Sequence, residues 1–260
     1  MEMDFFTQIP GEKPLDNIKP TCGFAGIFRE IGVIGDSLSS GEFEAHDEDG
    51  NIVYHDMYEY SWPAVLGRLT GTVYHNYSRG GMSAKEFYES WAEPNGFWQW
   101  NQAYIIALGN NDVFTLNHPI GSVAEIHPEN PDANSDTFFG NLGRIISKLK
   151  SIEKDARIFL VSMQKRGEEE GDPIICAVAK EMKKICELFS FTYLIDMTEY
   201  GPVYDEQMRK TFALGFHPNA MGYYSYALMI GNYIDYLIRQ NPKDFFEVPF
   251  IGKGYKNKDV

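Results

Sequence analysis

The sequence predicts an α/β protein built on a parallel sheet with helices on both faces. Two observations carry this. Five short apolar runs, most of them rich in β-branched and aromatic residues, read as strands buried on both faces. Helical patterns separate them, and repeated strand–helix alternation is the mark of a parallel sheet covered on both sides. No internal repeat, low-complexity tract or linker divides the chain, so residues 1–260 read as one domain.

The five runs are residues 28–34, 72–77, 103–108, 157–163 and 191–196. The first helix reads as residues 58–68, with Pro63 in its opening turns. The second is 83–92, where Ser83 stands three residues before Glu86 in the pattern of a capping box. A third covers 136–151. The fourth, 172–188, has Pro173 at a position suited to a first turn. The last, 219–239, carries apolar residues at Tyr223, Tyr226, Ala227, Ile230, Ile234, Leu237 and Ile238, the spacing of a helix with one buried face. Residues 1–25, with their Pro and Gly, read as an extended arm laid on the domain. The polar tail 253–260 reads as frayed.

Composition sets limits on function. A hydrophobic fraction of 43% with 15% aromatics fills a sizeable core and argues against disorder along the chain. Against 23 basic residues stand 37 acidic ones, a net charge of −14 that repels phosphate backbones and anionic lipid. No nucleic-acid or membrane partner is expected. The three cysteines, Cys22, Cys176 and Cys186, have neither the number nor the spacing of a disulfide framework or zinc site. No metal or cofactor is expected. The acidic stretches His46–Asn51 and Asp132–Asp136 depart from the calcium-loop pattern and read as solvated loops. The N-terminus lacks the basic-then-apolar order of a secretory signal, and no run is long enough to cross a bilayer. A cytoplasmic protein is the expectation.

Chemistry is concentrated at four places. Gly35-Asp36-Ser37-Leu38 ends the first strand and places a serine at its tip. Gly80-Gly81 follows the second strand, Gly109-Asn110-Asn111-Asp112 the third, and His217-Pro218-Asn219 the fifth. Ligands of open parallel sheets bind beyond the carboxyl ends of the strands. All four segments therefore fall on one edge, where a hydroxyl, an imidazole and amide donors would meet.

These blocks resemble those of the GDSL, or SGNH, hydrolase family: Ile34-Gly35-Asp36-Ser37-Leu38-Ser39, Asn76-Tyr77-Ser78-Arg79-Gly80-Gly81-Met82-Ser83, Leu108-Gly109-Asn110-Asn111-Asp112, and Phe216-His217-Pro218-Asn219-Ala220-Met221-Gly222-Tyr223. The resemblance implies a flavodoxin-like three-layer α/β/α sandwich and ester hydrolysis through a serine nucleophile. It implies Ser37 as nucleophile and His217 as base. The oxyanion donors would be the backbone N–H groups of Ser37 and Gly81 and the side-chain amide of Asn111.

One position departs from the family's pattern. Leu214 stands three residues before His217, where many relatives carry an aspartate that orients the imidazole. The acceptor for the Nδ1 proton is then a backbone carbonyl near Leu214 or Gly215, or Asp196, or Asp205; the carbonyl is favoured because it fixes the tautomer without an ionised partner. Asp36 and Asp112 read as loop-holding acids. His46, His55, His118 and His127 read as loop residues and His75 as a core histidine. Trp98 and Trp100 precede the third strand, at the opposite sheet edge. Substrate contacts are expected from Tyr54, Tyr58, Phe114 and Leu116, in the segments after the first and third blocks. The expected activity is hydrolysis of short acyl esters, acetyl above all, with a small-molecule or carbohydrate alcohol. The alternatives are a non-catalytic carbohydrate- or ligand-binding protein, for which Leu214 is the motive, and an acyltransferase.

Overall fold

The computed structural model describes residues 9–258. Its central sheet has five strands: β1 (Glu30–Gly35), β4 (Val73–Asn76), β5 (Ala103–Ala107), β6 (Arg157–Val161) and β7 (Thr192–Ile195). They lie in the order β4-β1-β5-β6-β7, and every neighbouring pair is parallel. Counting sheet strands alone, the order is 2-1-3-4-5, the flavodoxin-like arrangement.

Residues along each strand divide between two cores, as a period of two demands. Ile34, Tyr104, Ile106, Ile158 and Leu160 face α3 (Ala84–Glu86), α4 (Phe138–Ile152) and α5 (Gly171–Leu188). Ile31, Val33, Ala103, Ile105 and Phe159 face α2 (Trp62–Thr70) and α7 (Ala220–Gln240). Phe159 meets Phe28 edge-on at 6.0 Å and stacks on Phe245 of α8 (Pro242–Phe245) at 6.3 Å. The result is a three-layer α/β/α sandwich. No described helix is long and apolar enough to cross a membrane.

Helix starts follow local chemistry. Ser83 accepts from Glu86 N–H, Thr137 from Gly140 N–H and Asn219 from Gly222 N–H, each satisfying an orphan donor of a first turn. Pro63 occupies the opening of α2, where its missing N–H costs nothing. Residues 58–60, expected in that helix, form a separate 3₁₀ turn.

Larger differences lie between the blocks. Residues after Ser37 form a short helix α1 (Ser37–Ser40) and an antiparallel hairpin of β2 (Glu42–His46) and β3 (Ile52–Asp56), not a polar loop. His46 and His55 are strand residues within it. Its turn is tied by Asp47, whose carboxylate accepts from Asp49 and Asn51 N–H. Ahead of His217 come α6 (Glu206–Phe212) and a two-residue hairpin of β8 (Ala213–Leu214) and β9 (His217–Pro218). His75 is not a core residue. Its half-exposed ring lies 3.4 Å from Glu30 and stacks on Tyr77.

The N-terminal arm is described from residue 9, and its first eight residues lie outside the described part. From Glu12 onward it is turn-rich and clamped to α7. Asp235, almost fully buried, accepts from Lys19 Nζ at 2.7 Å, Phe24 N–H at 2.7 Å and Arg239 Nε at 2.9 Å. Arg239 also holds both carboxylate oxygens of Glu12, which keeps the Glu12 carboxyl below its ordinary range. As far as it is described, the tail touches the domain: Lys256 bridges Asp155 at 2.7 Å, and Asn257 N–H donates to Glu247. Residues 259–260 lie outside the described part.

Replacing Asp235 by alanine takes from the buried Arg239 one of its two carboxylate partners and removes the acceptor shared by Lys19 Nζ and Phe24 N–H. Removing one partner of a buried ion pair typically costs about 3–5 kcal/mol. Urea denaturation of Asp235→Ala should show a loss of that order, and a loss within ~1 kcal/mol would mean that the arm is only loosely attached.

Candidate active site

The sheet's carboxyl edge gathers the four blocks. Ser37 sits two residues beyond β1, at the first position of α1. Asp36 caps that helix, accepting from Leu38 N–H at 3.0 Å. Gly35 makes the sharp strand-to-helix turn possible, because a Cβ there would overlap the Ser39 side chain. The Ser37 hydroxyl faces His217, whose Nε2 lies 3.0 Å from Ser37 Oγ.

The Nδ1 side of the imidazole is where the structure departs most from expectation. No carbonyl of residue 214 or 215 takes its proton, and neither Asp196 nor Asp205 reaches it. Asp196 accepts from Ser162 Oγ and Glu199 N–H, and Asp205 caps α6. Leu214 is an exposed partner of His217 across the β8–β9 hairpin. The group facing Nδ1 is Glu44, on β2 of the hairpin that stands where a loop was expected. Its Oε2 lies 3.4 Å from Nδ1 and accepts a second bond from Phe216 N–H at 3.0 Å. Gly215, in the left-handed region at φ 62°, leaves the room that the carboxylate fills; a Cβ there would overlap it. Only 7% of Glu44 is exposed.

Glu42 stands two residues earlier, on the same face of β2. Its Oε1 lies 3.2 Å from His217 Nε2. Burial pulls the imidazole pKa down, but the bonds and charges of Glu42 and Glu44 outweigh it, and the net shift is upward from the ordinary value. Tyr54, opposite Glu44 in the β2–β3 register, meets the imidazole edge-on at 5.4 Å. Tyr223, in the first turn of α7, donates from its hydroxyl to the Glu42 carbonyl at 2.6 Å and lies 3.3 Å from that of Ser37. It therefore ties the serine turn, the hairpin and the last helix together.

Besides the N–H of Ser37, the expected amide donors belong to the second and third blocks. Gly81 has φ 73°, and a Cβ there would meet nothing within 4 Å, so backbone conformation rather than space calls for glycine. Among the described residues, the N–H groups of Ser37 and Gly81 have no hydrogen-bond acceptor. Asn111 is buried in a π-helical turn, Asn111–Thr115. Its amide donates to Met82 O at 3.2 Å and to Asp36 Oδ2 at 3.4 Å. Burial pushes the Asp36 carboxyl up to about 7, against the pull of Leu38 N–H. Asp112 accepts from Ala84 N–H and lies 3.6 Å from His118 Nδ1, locking the second block to the third.

The remaining predicted contacts divide. Phe114 stacks under the Arg166 guanidinium at 4.2 Å, and that guanidinium holds Asn110. Leu116 is exposed. The Tyr58 hydroxyl is spent on the Tyr74 carbonyl of the edge strand, which does not bring it to His217. A cavity of about 70 Å³ opens behind the serine turn. Its wall includes Asp36 and Leu38, on either side of Ser37, together with Leu108, Met163 and Ile230. Among the described residues no trio of His, Cys, Asp or Glu could hold a metal ion.

Similar proteins place this geometry in context. A G-D-S-L family protein from Desulfitobacterium hafniense DCB-2 superposes with a TM-score of 0.51 at 18% identity, covering 79% of this chain and 99% of that one. A carbohydrate esterase family 2 enzyme from Corynascus thermopiles (Myceliophthora fergusii), which also carries a carbohydrate-binding domain, gives 0.56 at 15%, covering 81% and 66%. A carbohydrate esterase family 3 protein from Talaromyces cellulolyticus gives 0.52 at 13%, covering 81% and 98%. At these identities the likeness is one of fold. A comparison with curated proteins returns no match. The family match spans residues 33–224, from β1 to the first turns of α7, and therefore takes in all four blocks: the chain belongs to the GDSL-like lipase/acylhydrolase family.

Proposed function

We propose that the protein is a serine esterase that removes short acyl groups, acetyl above all, from an alcohol. The observation that carries this reading is the 3.0 Å approach of His217 Nε2 to Ser37 Oγ, with Nδ1 turned toward the buried Glu44 carboxylate. In the reaction, Ser37 Oγ attacks the ester carbonyl while Nε2 takes its proton. The oxyanion forms against the N–H groups of Ser37 and Gly81 and the Asn111 amide. Removing one such donor typically costs about 3–4 kcal/mol of transition-state stabilisation. The imidazolium then passes its proton to the leaving alcohol, and a water activated by the same nitrogen releases the acid.

Glu44 serves as the positioning residue. It holds the proton on Nδ1, which leaves Nε2 to act as base, and its charge stabilises the imidazolium. With that acceptor in place the non-catalytic reading loses its motive, since Leu214 no longer marks a missing part. The cavity of about 70 Å³ lies behind the serine turn, walled by Asp36, Leu38 and Ser39 but not by Ser37 or His217, so it does not set the acyl length. Tyr54 packs against the imidazole and helps to hold the ring in place.

Ser37→Ala should abolish turnover of p-nitrophenyl acetate while leaving thermal unfolding unchanged. Full residual activity in that variant would reject the assignment. Because His217 titrates above its ordinary ~6.5, the activity of the wild type should climb with pH through a midpoint above that value. Glu44→Gln keeps an oxygen for Phe216 N–H and Nδ1 but removes the charge, so its midpoint should move to lower pH. Glu44→Ala should lower kcat by about 10²-fold. A pH profile untouched by both substitutions would show that Glu44 does not act on the imidazole.

A further inference from the structure

Glu42 has no part in the chemistry described so far, and its position is at odds with it. The nitrogen that must accept the Ser37 proton lies 3.2 Å from Glu42 Oε1. A carboxylate oxygen and a lone-pair nitrogen both accept, so at that separation they favour a proton between them. The contact therefore stabilises the imidazolium, the form that cannot serve as base. Glu44 already orients the ring from the other side, so a second carboxylate adds nothing to orientation. The arrangement is nevertheless built for close contact. Gly80 presents no side chain, and a Cβ there would overlap the Glu42 carboxylate. The Glu42 backbone is fixed by the Tyr223 hydroxyl. The two adjacent glycines thus meet separate needs: Gly81 a positive φ, Gly80 room for Glu42.

The reaction itself identifies what belongs beside that carboxylate. After attack, Nε2 must hydrogen-bond the leaving oxygen of the alcohol. A gauche group on the neighbouring carbon of that alcohol is then within reach of Glu42 Oε1. The two oxygens of a gauche vicinal diol stand about as far apart as hydrogen-bonded heavy atoms do, which matches the separation of Nε2 and Oε1. Resting on the esterase reading, we propose that Glu42 selects the alcohol half of the substrate by accepting a hydrogen bond from a hydroxyl vicinal to the ester oxygen. The substrate class is a partially acylated polyol, such as a sugar or glycerol ester with a free neighbouring hydroxyl. Binding of that hydroxyl satisfies Glu42, weakens its pull on the imidazole proton and leaves Nε2 open to Ser37. A simple alkyl ester brings no such donor and leaves the carboxylate competing for the base. The other groups facing the imidazole, Glu44, Tyr54 and the nearby Asp36, supply no second acceptor next to Nε2.

The test compares glycerol 1-monoacetate with propyl acetate, which differ by the hydroxyls alone, and uses p-nitrophenyl acetate as a chemical control. The wild type should show a higher kcat/KM for the glycerol ester by about ten- to hundredfold, the worth of a hydrogen bond to a charged group. Glu42→Ala should bring that ratio close to one, and Glu42→Gln, which keeps an acceptor, should restore part of it. Gly80→Ala, which displaces the carboxylate, should lower it in the same direction. A wild-type ratio near one, or a high ratio that survives in Glu42→Ala, overturns the proposal while p-nitrophenyl acetate turnover leaves the esterase reading standing. Absence of turnover of all three esters by the wild type overturns that reading and this one with it.

Discussion

His217 is held between two carboxylates from alternate positions of a single strand, and the rest of the site depends on that arrangement. Glu44 accepts at Nδ1, Glu42 crowds Nε2, and Ser37 Oγ approaches the same Nε2 at 3.0 Å. The period of two in a β-strand makes this possible, because residues 42 and 44 share a face while Phe43 turns away to pack on Tyr223 and Tyr60. The hairpin thus brings a carboxylate to Nδ1, although the residue three positions before His217 is Leu214.

Such a constellation needs rigid support, and the structure supplies it through short links between blocks that are distant in sequence. Tyr223 bonds the carbonyl of Glu42 and touches that of Ser37. Ser40 Oγ donates to Asp56 at the end of β3, closing the hairpin against α1. Asp112 and Asn111 pin the third block to the second through Ala84 N–H and Met82 O. Each link satisfies a polar group that burial would otherwise leave unpaired, so the same bonds that stabilise the edge also set its geometry. The π-helical turn at Asn111–Thr115 belongs to this pattern, since such turns recur where a side chain must be re-aimed.

The sheet could be read from the sequence because strands buried on both faces leave continuous apolar runs, and all five runs became strands within about two residues of the expected ends. The serine, glycine, asparagine and histidine segments could be placed because order along the chain fixes which strand each follows. The hairpin was harder to see. Its strands are half-exposed and polar, Glu-Phe-Glu-Ala-His and Ile-Val-Tyr-His-Asp, so they lack the apolar density of a core strand. A signal was nonetheless present: Asp49-Gly50 between two alternating stretches is a hairpin turn. Even with the hairpin in hand, Glu44 could not have been singled out from Glu42 by sequence alone. Its role rests on a contact across 173 positions and on the space above Gly215. Order along the chain points to an orienting group near Leu214, whereas the fold brings Glu44 from another element.

Labelling by a fluorophosphonate probe at graded pH, with peptide mapping of the adduct, bears most directly on the central pairing. The account requires a single adduct on Ser37, formed at a rate that rises as His217 loses its proton and that collapses in Glu44→Ala. An adduct on another serine, or a Ser37 rate indifferent to both pH and Glu44, would contradict it.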